Sequence, residues 1–175
     1  MTAPLALDPA RTALVLVDLM DRVVALPVEP REGADVLSAA RELADAFRSA
    51  GAPVVLVRVE RPGVAEQPPG SGLVAGLARE GDIEIVKHTV GAFQGTGLDD
   101  RLRAHGVTTL VLGGIATNLG VESTARAAAD LGYDLVFAED AMAALTAPEH
   151  EASVRLDFPR LGTVARAADV RLTPG

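Results

Sequence analysis

T-L-V-L-G-G-I-A-T-N-L-G-V-E-S-T-A-R, residues 109–126, decides the fold of this chain. Leu110, Val111 and Leu112 form the continuous apolar run of a strand buried on both faces, and the spacing predicts that this strand ends at Gly113-Gly114. A helix is predicted over 118–131, with Val121, Ala125, Ala128 and Leu131 inward and Glu122, Arg126 and Asp130 on the wetted face. In an open parallel sheet, ligands bind where the carboxyl end of a strand faces the amino terminus of the next helix. The glycine-rich passage between the two elements is therefore the candidate site.

Outward from that passage, the same alternation repeats. Residues 13–17 read as a buried strand ending at Asp18, and Val36, Ala40, Leu43 and Phe47 mark an amphipathic helix closed by Gly51. Residues 54–59 give a second buried strand, and 60–76, rich in Pro, Gly and Gln, a surface loop of a length that usually covers a site. A short strand is expected at 83–86, ending at Lys87, and a helix at 98–105, with Leu98 and Leu102 inward and Gly106 closing it. Further strands are expected at 134–138 and, on the edge, 162–165, with a turn at 140–144 and a last helix at 148–158. Five or six buried strands alternating with helices make a three-layer α/β/α, doubly wound domain with a mainly parallel sheet, one domain over residues 1–175.

Composition narrows the function. The chain is 49% hydrophobic but only 3% aromatic, as suits an Ala/Val/Leu core under helices, and its net charge of −8 supplies no basic footprint for nucleic acid or an anionic membrane. Residues 1–8 lack a leader pattern and no apolar run approaches a membrane span, so a cytoplasmic protein is expected. There is no cysteine, which removes disulfides, thiolate metal sites and a thiol nucleophile together.

G-I-A-T-N-L-G-V-E-S-T-A-R resembles the central motif of the isochorismatase-like (cysteine hydrolase) family, G-V-A-T-N-x-C-V-x-x-T-A. Gly120 stands where most of that family has its nucleophilic cysteine. A thiol there would be activated by the helix dipole and adjacent N–H groups, so glycine keeps the geometry and removes covalent amide hydrolysis. V-D-L-M-D-R resembles the family's L-V-V-D-M-Q, which makes Asp18 the match for its acid-base residue, with Met20 in place of glutamine. On its own, Asp18 could equally cap the turn after its strand. K-H-T-V-G-A-F-Q-G-T-G-L resembles K-x-x-x-S-A-F-x-G-T-x-L, so Lys87 and Phe93 match, with Gly91 for serine. Alone, Lys87 would be a solvated surface residue.

The resemblance implies a non-proline cis peptide between Ile115 and Ala116, and N–H groups near Thr117 and Asn118 that bind a substrate carboxylate. Catalysis falls to Asp18 and Lys87 at neighbouring strand ends with Gly120 beside them, and substrate binding to Phe93, Ile115, Ala116, Thr117 and Asn118. His88, by strand alternation, points away; His105 complements a helix terminus; His150 and Glu151 are structural; and Gly95-Thr96-Gly97 is too short for a phosphate loop. Metal-dependent relatives place an aspartate and paired histidines after the second strand, where this chain reads V-R-V-E-R-P-G, so no metal and no cofactor is expected.

An acid and a lysine without a thiol are similar to the isochorismatase branch, which hydrolyses a vinyl ether with no covalent intermediate. The expected function is hydrolysis of an enol ether of a small carboxylate such as isochorismate, by Asp18 general acid catalysis. Lys87 beside Asp18 should lower its pKa, which opposes that role. The alternative is a catalytically inactive binding or scaffold protein. Homo-oligomers are common in the family, and Ala-rich segments at 125–129 and 141–144 would permit close helix approach between copies.

Overall fold

A computed structural model describes residues 4–173. In chain order the strands are β1 (Leu5–Leu7), β2 (Thr12–Val17), β3 (Val54–Val59), β4 (Ile83–Lys87), β5 (Thr109–Ile115), β6 (Asp134–Ala143), β7 (Thr163–Ala165) and β8 (Val170–Leu172). The helices are α1 (Asp21–Val24), α2 (Gly33–Ser49), α3 (Leu98–Ala104), α4 (Glu122–Asp130), α5 (Ala147–Ala152) and α6 (Phe158–Leu161). Six strands form one parallel sheet in the order β4-β3-β2-β5-β6-β7. The chain winds from β2 out to β4, then returns to β5 and winds the other way, so the switch point lies between β2 and β5.

Strand alternation divides the interior into two cores. Leu14 and Leu16 of β2 face one core, which contains Val36, Ala40, Leu43 and Phe47 of α2. Ala13, Val15 and Val17 face the other, with Leu98 and Leu102 of α3, Ala125 and Ala128 of α4, and Phe158 of α6. Every residue of β2 is buried, as a central strand covered by helices on both faces requires. The expected doubly wound, parallel α/β/α architecture is what the structure has.

Several element boundaries differ from expectation, each for a local reason. β5 does not stop at Gly113-Gly114 but runs through them to Ile115. Gly114 has φ 126° and a Cβ there would lie 2.1 Å from Val17 O, so the glycine lets β5 approach β2 and the register shift against β6 form, rather than ending the strand. The following helix opens at Thr117 in a π turn reaching Val121 before α4 begins. Leu131, expected inward, is 41% exposed because it is the C-cap of α4, where the chain already turns toward Gly132 at φ 86°. Residues 140–143 extend β6 instead of forming a turn. The single helix expected at 148–158 is α5, a π turn over Ser153–Asp157, and α6, which begins where Pro159 can supply no N–H to the preceding turn. The parallel pair β1–β8 has only three residues per strand, too few to show a period in sequence.

The loop from β3 to β4 is anchored at the site's edge. Met20 bridges Leu73, the Asp21 and Arg22 amides donate to Gly72 O (3.2 Å) and Gly70 O (3.0 Å), and Val74 N donates to Leu19 O (3.0 Å). Among the described residues no helix is long and apolar enough to cross a membrane.

Candidate active site

Asp18 follows the last residue of β2 at the switch point. It is the one non-glycine residue with positive φ (56°) among those described, a left-handed backbone state that aspartate adopts more readily than most side chains. Its amide donates to Val57 O (2.8 Å) and its carbonyl accepts from Met20 N (2.8 Å), so the turn is fixed at both ends. Asp18 Oδ2 lies 2.9 Å from Lys87 Nζ, with side chains 11% and 3% exposed.

Those two strand ends are not neighbours, contrary to expectation: β3 lies between β2 and β4. Two strand spacings amount to roughly 9–10 Å. Only a long side chain closes that gap, and Lys87 does so by crossing the end of β3, where Val59 is its register partner. Its ammonium also donates to Thr89 O (3.2 Å) and Val90 O (2.8 Å). Three donors thus have three acceptors, and Lys87 is fully committed. Asp18 Oδ1, by contrast, is buried with no partner in the protein.

Desolvation by burial raises the Asp18 pKa, and the opposing attraction of Lys87, and then of Arg22, does not cancel it. The expectation that Lys87 would dominate is corrected here. A carboxyl enclosed by apolar walls loses more hydration than one saturated lysine returns. Asp18 therefore keeps its proton to higher pH than a free aspartate, as a general acid must.

Gly120 lies against this pair. A Cβ there would meet Val17 Cγ1 at 3.0 Å, Asp18 Oδ2 at 3.3 Å and Val90 O at 3.5 Å. The Thr124 hydroxyl donates to Gly120 O (2.6 Å) and accepts from Ala92 N (3.0 Å), tying the π turn to the loop after β4. In that loop a Cβ at Gly91 would come 2.8 Å from Ser123 Oγ, so Ser123 occupies the space that a serine at 91 would need.

Asp18, Lys87 and Gly120 line a cavity of about 460 Å³, together with Ile115 and Ala116, whose peptide bond is cis. The side chains of three residues expected to bind substrate point elsewhere. Thr117 is fully buried and its Oγ1 is 2.8 Å from His150 Nδ1, so it secures the π turn to α5. Burial, with a smaller contribution from Arg31, lowers the His150 pKa to about 4 and keeps the ring neutral. Phe93 packs toward Tyr133, with ring centroids 6.0 Å apart, and lines a separate depression on the outer side of α4. Asn118 faces a shallower pocket with Glu122 and Arg126, its Oδ1 buried and unpartnered.

Other cavity residues were not assigned to the site from sequence. Val23 and Leu26, around α1, and Leu145, after β6, form apolar wall; Glu60, Arg61 and His88 stand at the mouth. The rule that found Asp18 would also have found Glu60, since both directly follow a central strand's carboxyl end, with Arg61 next in the chain. Glu60 is ion-paired with Arg58, and the Arg61 backbone is clasped by the Gln67 amide (2.8 and 3.0 Å). His88 does not point away: β4 has ended at Lys87, alternation no longer governs it, and its Nδ1 lies 3.1 Å from Glu60 O. His105 Nδ1 is 2.8 Å from Arg101 O at the end of α3, consistent with a helix-terminal role.

Comparison with known proteins places these features in context. The isochorismatase domain family matches residues 12–169. The uncharacterized isochorismatase family protein YecD of Escherichia coli O157:H7 is 38% identical over 183 residues, covering 95% of this chain and 97% of that protein. The ureidoacrylate amidohydrolase RutB of Methylobacterium radiotolerans is 36% identical, over 70% of this chain and 63% of its own. Among solved structures, an isochorismatase family protein from Burkholderia thailandensis superposes with a TM-score of 0.87 at 38% identity, covering 97% of both chains.

Proposed function

Because the chain belongs to the isochorismatase family of hydrolases, we propose that it hydrolyses an enol ether of a small carboxylate, the class that includes isochorismate, with Asp18 as proton donor and no covalent intermediate. The observation that supports this reading is the Asp18 carboxyl itself, its pKa raised by burial and its Oδ1 unpartnered, in a cavity that Gly120 lines without a side chain and that no thiol enters.

The chemistry balances with water as the only co-reactant. Asp18 gives its proton to the methylene carbon of the enolpyruvyl group, leaving an oxocarbenium ion and a carboxylate paired with Lys87. Water adds to the cationic carbon and returns a proton to Asp18, and the hemiketal collapses to pyruvate and an alcohol. Lys87 holds the carboxylate that forms and limits how far the Asp18 pKa rises. RutB is named as an amidohydrolase, and amide cleavage through a thiolate is closed to a chain without cysteine.

The test is pyruvate release from a panel of enolpyruvyl ethers, isochorismate and 2-(cyclohexyloxy)acrylate among them. Enzyme-dependent pyruvate from at least one ether supports the reading. Ethers that bind and release none would instead make the protein a binding member of the family.

A further inference from the structure

Within the enol ether class, we infer that the substrate carries an apolar body on the alcohol side of the scissile bond and no more than one carboxylate, which sets aside isochorismate, itself a dicarboxylate, in favour of a monocarboxylate ether. This rests on the cavity being the substrate site of the reaction proposed above.

The walls supply the first part. Four large apolar side chains that stay exposed, Leu26 (43%), Val90 (56%), Leu119 (50%) and Leu145 (48%), all line this one cavity. Val59 and Ile115 continue the apolar surface toward Asp18. Large apolar side chains gathered around one mouth, with a carboxyl and a lysine at its floor, are what an apolar ligand with one polar reacting end would cover. A volume of about 460 Å³ suits a small molecule.

Charge supplies the second part. The Lys87 ammonium is saturated by Asp18, Thr89 O and Val90 O, and Arg58 is held by Glu60 and Glu84. Among the described residues lining the cavity, Arg61 is the arginine or lysine without an ion-pair partner, and it stands at the exposed mouth. One cation accommodates one carboxylate. A second carboxylate, or a ring of hydroxyls, would give up its hydration against leucine and valine side chains that offer it no hydrogen bond.

Saturated ethers, which cannot be hydrolysed, test this apart from catalysis. Calorimetry with 2-methoxy-, 2-propoxy- and 2-(cyclohexyloxy)propanoate should show affinity rising by about fourfold per added methylene along the linear pair. The cyclohexyl ether should bind at least tenfold more tightly than the methyl ether and than its ring-carboxylated counterpart. Leu119→Asp, at an exposed position that leaves both cores untouched, should flatten the gradient, and Leu145→Ser should do so in part. Affinity that is flat along the wild-type series, or tighter for the dicarboxylate, would overturn the inference. So would a dimer in sedimentation that Leu119→Asp dissociates while the series stays flat, since the apolar mouth would then belong to a second copy. If the gradient appears but no enol ether is cleaved, the hydrolytic reading alone fails. If enol ethers are cleaved without regard to the body, this inference alone fails.

Discussion

Lys87 acts on Asp18 as a brake. Its charge lowers the Asp18 pKa against the stronger effect of burial, so removing it should let the pKa climb further. Activity that needs protonated Asp18 falls as pH rises through that pKa; in Lys87→Met the falling limb of the pH–rate profile should move to higher pH while the maximal rate drops. A limb that stays in place would show that another group sets it. Gly120 is constrained by distance. Its missing Cβ would sit 3.0 Å from Val17 Cγ1 and 3.3 Å from Asp18 Oδ2, so Gly120→Ala must push the carboxyl or the strand aside. A displacement approaching 1 Å at a reacting group costs up to about a hundredfold in rate, and a fall of roughly tenfold or more in kcat is expected. Gly120→Cys should lose enol ether hydrolysis likewise; a gain of amide hydrolysis in its place would identify a thiol enzyme that had lost its nucleophile. Asp18, Lys87 and Gly120 were all legible in the sequence, because each sits at a strand end or helix start within a motif. The sign of the Asp18 shift was not, since Val59 and Ile115, which line the same cavity, come from separate strands.

At the scale of elements, the π turn between β5 and α4 hangs on two supports. One is Gly114, where a side chain would lie 2.1 Å from Val17 O at φ 126°; Gly114→Ala should destabilise the fold by about 3 kcal/mol or more, read from the urea midpoint. The other is the Thr117–His150 bond. His150 is neutral in the fold with its pKa lowered from 6.5 to about 4, so the unfolded chain takes up a proton at a pH where the folded one does not. Stability should therefore decline as pH falls from 6.5 toward 4, by up to about 3 kcal/mol, and His150→Asn should lose that part of the slope. An acid limb identical in the two proteins would remove His150 from the account. Neither support was visible in sequence. Gly113-Gly114 read as a stop because glycine more often ends a strand than lets two strands close up, and the contact of the Thr117 side chain with α5 is not legible because nothing in a linear motif shows which way a turn aims its side chain.

The whole molecule was the most legible scale. Buried runs at 13–17, 54–57 and 110–112 carry no polar face, and such strands fold only as the middle of a sheet covered on both sides. Strand order was less legible, because periodicity does not reveal that β3 separates Asp18 from Lys87. That order matters to function: it forces the lysine to span two strand gaps and arrive buried and saturated, able to hold a carboxylate but with no donor left for the substrate. The central claim, that the switch point of this sheet presents an aspartate of raised pKa as proton donor to water-dependent hydrolysis, is tested most directly by Asp18→Asn. The amide keeps shape and burial but has no proton to give. With an enolpyruvyl ether that the wild type converts to pyruvate, kcat should fall by about 10²–10⁴-fold while binding of the saturated ether is largely kept. Pyruvate release by Asp18→Asn at the wild-type rate would contradict the claim.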